Sequence, residues 1–197
     1  MPGMKPSGPP QRMNGLGNAS LDITTTNPEA RLWFEQGLNL LHDFWDFESS
    51  RAFEASVKAD PNCAMCWWGL AYAAGPFANK AAAPVPPDLS YPVFTPQELE
   101  LAQGALQQAS EALQSEGYRR ALGNTSGLVG EGARRGARER ERLYIDAMHG
   151  RYSGGSAGPT WEAAERGYAA AMESIGRPGT GREGERGLDE AGVVYCW

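Results

Sequence analysis

Two histidines and three cysteines in 197 residues leave little material for acid–base or metal chemistry. Cys63, Cys66 and Cys196 are too few for a disulfide framework. Base is outnumbered by acid, 18 Lys and Arg against 24 Asp and Glu, for a net charge of −6. That balance argues against binding to phosphate backbones, which runs on excess Lys and Arg. No apolar run approaches the roughly 18 residues of a membrane helix, and the first twenty residues hold no apolar signal core. Also missing are Gly-x-Ser-x-Gly, His-Glu-x-x-His and a phosphate loop ending in Gly-Lys-Ser/Thr. These absences predict a soluble, cytoplasmic protein that is no enzyme, takes no cofactor and has neither nucleic acid nor membrane as partner.

Strand patterning is missing too. Only Val193-Val194-Tyr195 hints at period two, so the chain reads as all-α. The 25 glycines and 14 prolines cluster, which divides the chain into ordered and loose segments. Residues 1–26, rich in Pro, Gly, Ser and Asn, read as a disordered tail unable to offset its ordering entropy. Asn27-Pro28, Asp60-Pro61 and Thr95-Pro96 each place a cap before a first-turn proline, and Glu98 completes a capping box with Thr95.

From Asn27, apolar residues fall at Ala30, Trp33, Phe34, Gly37, Leu38, Leu41, Phe44 and Trp45, the stripe of one amphipathic helix. Asp46 caps the next, with Ser49, Ala52, Phe53, Ser56 and Val57 on its inner face, and a third runs from about 62 to 74. A proline-rich connection over 75–94 leads to a helix from Thr95 to about Glu116, carrying Leu99, Ala102, Leu106, Ala109 and Leu113. The glycine-rich stretch 123–136 is expected to be mobile. Helices are predicted over 137–152 and 160–175, then a glycine linker at 176–187 and, over 188–197, the start of a truncated helix.

Trp33 and Trp67 lie 34 residues apart, the period of a known helical repeat. With Ala30 and Ala64 opening successive units, Gly37 matches Ala71 at the close-approach position, Phe53 takes the large position of the second helix, and Pro61 closes the turn. Phe34 to Leu40 reads FxQGLxL, and Asp60-Pro61-Asn62-Cys63-Ala64-Met65 precedes a Trp-Gly pair. In these elements the chain resembles tetratricopeptide repeat proteins of bacterial type. The full repeat spans 30–63, a second 64–116 with its insertion at 75–94, and a degenerate helix pair 137–175. The resemblance implies a right-handed solenoid of helix hairpins over 27–175 and a scaffold for protein contacts, with no reaction attached. Where that group has Phe-Asn-His, this chain has Phe44-Trp45-Asp46.

In that register Trp33 and Trp67 fill the interface between paired helices. Phe34, Leu38, Trp68 and Tyr72 fall on the concave side and form a candidate groove for a protein or peptide partner. The Lys and Asn of a carboxylate clamp are missing there. Cys63 and Cys66 have the spacing of a redox pair or half a zinc site, yet Cys196, His42 and His149 are scattered and give no second ligand pair, so no metal is assigned. A Cys-x-x-Cys metal or thiol-redox protein is the rival reading, and a truncated piece of a longer repeat protein a third. Asp43 and Asp46 beside His42 read as cap and surface charges. The five arginines within 133–142 alternate with glutamate and read as a solvated helix face. An open solenoid end exposes apolar surface, so self-association is also expected.

Overall fold

Asn27 ends an extended stretch, and its side-chain oxygen accepts from the backbone N–H groups of Glu29 and Ala30, so α1 (Pro28–His42) starts at the expected cap. The structure, a computed structural model, describes residues 8–75, 96–125, 129–153 and 161–176. Within them follow α2 (Asp46–Ala59), α3 (Ala64–Ala73), α4 (Pro96–Gln114), α5 (Glu116–Asn124), α6 (Glu131–Tyr152) and α7 (Trp161–Gly176), with no strand among the described residues. The protein is all-α. No helix among the described residues is long and apolar enough to cross a membrane. Most of the proline-rich connection, Thr95 with its capping box, the linker after Gly176, the last helix start and Cys196 lie outside the described residues.

Each helix packs on its chain neighbour: α1 on α2, α2 on α3, α3 on α4 and α6 on α7, while α6 also reaches back to α3 and α4. The α1/α2 hairpin is bonded as well as packed. Ser49 Oγ donates to the Gly37 carbonyl at 2.8 Å and Ser56 Oγ to that of Ala30 at 2.7 Å, both bonds buried. A serine is nearly as small as alanine and in addition satisfies a carbonyl of the facing helix. Between these staples the buried Phe53 ring lies where a Cβ on Gly37 would come within 3.0 Å of it and one on Gly69 within 2.3 Å. The close approach expected at Gly37 is therefore shared with Gly69 rather than with Ala71.

The α2–α3 joint departs from expectation in its cap. Asp60 does not cap α3; it accepts from Thr25 Oγ1 at 2.5 Å and from the Asn62 N–H. Cys63 is the cap, its Sγ accepting from the Cys66 N–H at 3.1 Å. Asp46 heads α2 instead of capping it, the cap position being Trp45 with no side-chain bond. Helix α5, absent from the sequence reading, is capped by Ser115 through the Tyr118 N–H. Helix α6 starts at Glu131, inside the stretch expected to be mobile. Gly132 and Gly136 each cost that helix about 1 kcal/mol relative to alanine. Burial of Ala137 and bonds from Arg134 to the Gly123 carbonyl and from Arg138 to that of Leu113 offset them.

Residues 8–26 also correct the expectation of a disordered tail. They form neither helix nor strand, yet the backbone at 11–23 runs along α1, with Ile23, Thr24 and Thr25 buried. Gln36 and Asn39 make this possible. A side-chain amide carries one donor group and one acceptor, as a peptide unit does, and each offers both to the segment. Gln36 accepts from Met13 N–H and donates to the Gln11 carbonyl; Asn39 accepts from Ala19 N–H and donates to the Ala19 carbonyl. Arg31 donates to the Ile23 carbonyl and the Arg12 guanidinium lies 4.8 Å from the Trp33 ring. Met13, Leu16, Ala19 and Leu21 also pack against the core, so polar and apolar contacts together tie this segment down.

Candidate functional site

The four residues expected to line an open groove are Phe34, Leu38, Trp68 and Tyr72, and they are 0, 4, 2 and 2% exposed. The chain fills that face itself. Phe34 packs edge-on to Phe53 at 5.5 Å, Trp68 meets Tyr144 of α6 at 5.6 Å, and Tyr72 faces Tyr168 of α7 at 6.5 Å. The buried Arg151 guanidinium lies 5.2–5.7 Å from the rings of Tyr72, Tyr152 and Tyr168, and the Tyr152 hydroxyl reaches the Ala71 and Gly75 carbonyls at the end of α3. These aromatics hold α3, α6 and α7 together. Trp33 and Trp67 differ despite their spacing: Trp33 is buried with Leu40 and Ala52, whereas Trp67 is half-buried and donates to the Pro61 carbonyl.

Cys63 and Cys66 form a disulfide with Cα atoms 5.3 Å apart, and both residues are fully buried. Sulfurs bonded to each other offer no thiolate to a metal or a substrate. Among the described residues no group of three His, Cys, Asp or Glu is placed to hold a metal ion. Closing so short a loop removes about 2 kcal/mol of unfolded-state entropy. Replacing both cysteines by serine, which keeps a capping oxygen at 63, is expected to lower unfolding free energy by about that amount in urea titrations; replacing both by alanine adds about 1 kcal/mol for the lost cap. Equal costs for the two variants would contradict the capping role.

Elsewhere, His149 Nε2 sits 3.0 Å from Ser110 Oγ, whose single proton is shared between that nitrogen and the Leu106 carbonyl, also at 3.0 Å. Of the arginines in the basic run, Arg142 pairs with Glu139 and Asp146 in an exposed network. One member of that run is misread by the solvated-face expectation: Glu141 is buried. Helices α6 and α7 enclose an open apolar trough of about 440 Å³ between Leu143, Ala147, Gly150, Ala164, Tyr168 and Ile175.

Among the described residues, large aromatics face solvent at the α1–α2 turn. Phe44, Trp45 and Phe47 are 63, 53 and 52% exposed, which corrects the expectation that Phe44 and Trp45 continue the apolar stripe of α1. Bare aromatic side chains offer roughly 150–250 Å² each, so about 300 Å² of apolar surface remains on this turn, the size of the largest patch on an ordinary monomer. Helix α1 ends before it. The Phe44 N–H bonds the Leu41 carbonyl at 3.2 Å and the Trp45 N–H bonds that of Leu40 at 2.9 Å, the paired bonds that close a helix through a left-handed residue.

That residue is Phe44, at φ +58°, and no other described non-glycine residue has positive φ. Glycine is usual here because a side chain costs about 1–2 kcal/mol in this conformation. The residue after it commonly packs back on the helix, yet Trp45 points outward. Around the rings stand Asp43, Asp46 and Glu48 against one Arg51, which pairs with Glu48 at 2.8 Å and lies 5.9 Å from the Phe47 ring. Partial burial holds His42 below its ordinary pKa against the pull of Asp43. A signal for this site was present in the sequence: Phe44-Trp45-Asp46-Phe47 sets aromatics on both sides of an acid, more than one helix face can bury.

Comparisons with protein-family models, with curated proteins and with solved structures return no match.

Proposed function

We propose that this chain is a protein-interaction scaffold of the tetratricopeptide type, without catalysis or cofactor of its own, that contacts its partner through Phe44, Trp45 and Phe47. The observation that carries the reading is the outward display of three aromatics on one turn, at a backbone position where the fold alone favours glycine. Buried Trp, Tyr and Phe anchors supply most of the binding energy in protein interfaces, and surplus exposed aromatics mark such surfaces. The repeat assignment is supported by the 34-residue spacing and by Phe53 seated against Gly37 and Gly69. We place the scaffold in the cytoplasm, where burial of both sulfurs shields the Cys63–Cys66 bond from thiolates that must reach a sulfur in line. Self-association would use the α6–α7 trough.

Panning a random peptide library on the immobilised protein tests the reading. Wild type is expected to enrich peptides that Trp45→Ser and Phe44→Gly no longer hold, with helical circular dichroism unchanged in both. Enrichment of the same peptides by wild type and both variants would remove the turn from the proposal.

A further inference from the structure

We infer that the α1–α2 turn recognises a cationic apolar segment of a partner protein, one in which arginine or lysine alternates with aliphatic residues. The inference rests on the interaction reading above and adds the chemistry of the partner. Three features of the turn converge on it. The rings of Phe44, Trp45 and Phe47 give an apolar platform whose faces carry negative potential. Asp43 stands exposed beside Phe44, and Asp46, half-buried, lies between Trp45 and Phe47 in the chain, while Glu48 is held by Arg51. The whole chain is acidic, at −6, which adds a long-range pull on a cationic partner.

The same protein shows how such a contact is made. Arg12 covers the Trp33 ring at 4.8 Å, Arg51 approaches Phe47 at 5.9 Å, and Arg151 sits among three tyrosines. Phe44 and Trp45 are the other exposed rings among the described residues, and a guanidinium from outside would stack on them while reaching a carboxylate alongside. The aliphatic residues of the segment would cover the rest of the patch. An acidic peptide, a phosphate backbone or an anionic bilayer meets like charge at the same place.

The experiment uses the full chain and three fluorescein-labelled synthetic peptides of equal length, in which leucine alternates with arginine, serine or glutamate, read by anisotropy at low and high salt. The arginine peptide is expected to bind in the micromolar range, the serine peptide about tenfold more weakly and the glutamate peptide not measurably. Trp45→Ser should weaken the arginine peptide about thirtyfold. That variant keeps the net charge of the chain, so diffuse attraction between an acidic protein and a basic peptide would be unaffected by it. Asp43→Asn should weaken the arginine peptide about threefold and leave the serine peptide's affinity unchanged, with its helical signal retained. Serine and arginine peptides binding alike would overturn the charge preference and leave the interaction surface standing. Equal binding of the arginine peptide to wild type and Trp45→Ser, or no binding to either, would overturn the site itself. Vesicles of phosphatidylserine and phosphatidylcholine, tested by co-sedimentation, should not retain the protein; retention lost in Trp45→Ser would assign the turn to a membrane and overturn the peptide inference.

Discussion

Glu141→Ala is expected to lower the unfolding free energy at neutral pH by about 2–4 kcal/mol. The Glu141 carboxyl is buried and accepts from the Thr24 N–H at 2.6 Å and from the Tyr118 hydroxyl at 2.9 Å. It thereby ties the N-terminal segment and α5 to α6. Alanine leaves two buried donors without an acceptor and opens a cavity at the junction. Glutamine keeps an oxygen for Thr24 and an amide for the Tyr118 oxygen, and should cost much less. Tyr118 itself stays protonated throughout, since its burial, followed by the nearby Glu141 charge, pushes the phenol well above its ordinary range.

The two variants also separate by pH. Burial raises the Glu141 carboxyl above its ordinary pKa, with the bonds from Thr24 and Tyr118 opposing it. The folded state therefore holds this proton to higher pH than the unfolded chain does. Stability from this group is full below the unfolded carboxyl's pKa, falls as pH rises through the folded value, and then levels off. Glutamine has no such slope. Urea unfolding of wild type and Glu141→Gln, begun near pH 4 and repeated up to pH 8, should show the variant gaining on wild type as pH rises. A difference independent of pH would contradict the assignment.

Gly69→Ala is expected to destabilise by about 2–3 kcal/mol, even though alanine favours a helix over glycine by about 1 kcal/mol. The added Cβ would lie 2.3 Å from the Phe53 ring, closer than any real contact, and Phe53 is fully buried with Phe34 against it. The ring has no free space to retreat into. Gly37→Ala, whose Cβ would sit 3.0 Å from the same ring, should cost less. Gly104→Ala, with nothing within 4 Å, should stabilise by up to about 1 kcal/mol. Thermal unfolding of the three variants gives the order; Gly69→Ala melting with Gly104→Ala would contradict the cradle.

Helix starts written in local chemistry were legible, as Asn27-Pro28 shows, and so was the small-residue face of α2 at Ser49 and Ser56. What failed depends on partners far away in the chain. Gln36 and Asn39 read as polar helix surface because the backbone they bind lies 20–25 residues upstream, with Asn39 bonded to Ala19 and Gln36 to Gln11 and Met13. Glu141 read as one charge in a solvated run because Thr24 lies 117 positions away. Phe34, Leu38, Trp68 and Tyr72 read as a groove because the rings that cover Trp68 and Tyr72, Tyr144 and Tyr168, lie far along the chain on α6 and α7. The aromatic turn was missed for the opposite reason. A periodic stripe continued through Phe44 and Trp45 on paper, while the backbone left the helix after His42.

Phe44→Gly tests the central claim most directly when its stability and its binding are measured together. Glycine relieves the left-handed strain at φ +58° and should raise unfolding free energy by about 1 kcal/mol. The same change removes one ring of the platform and should weaken the arginine–leucine peptide about tenfold. A less stable variant that binds the peptide as wild type does would mean that Phe44 serves the fold, and the interaction surface would have to be sought elsewhere.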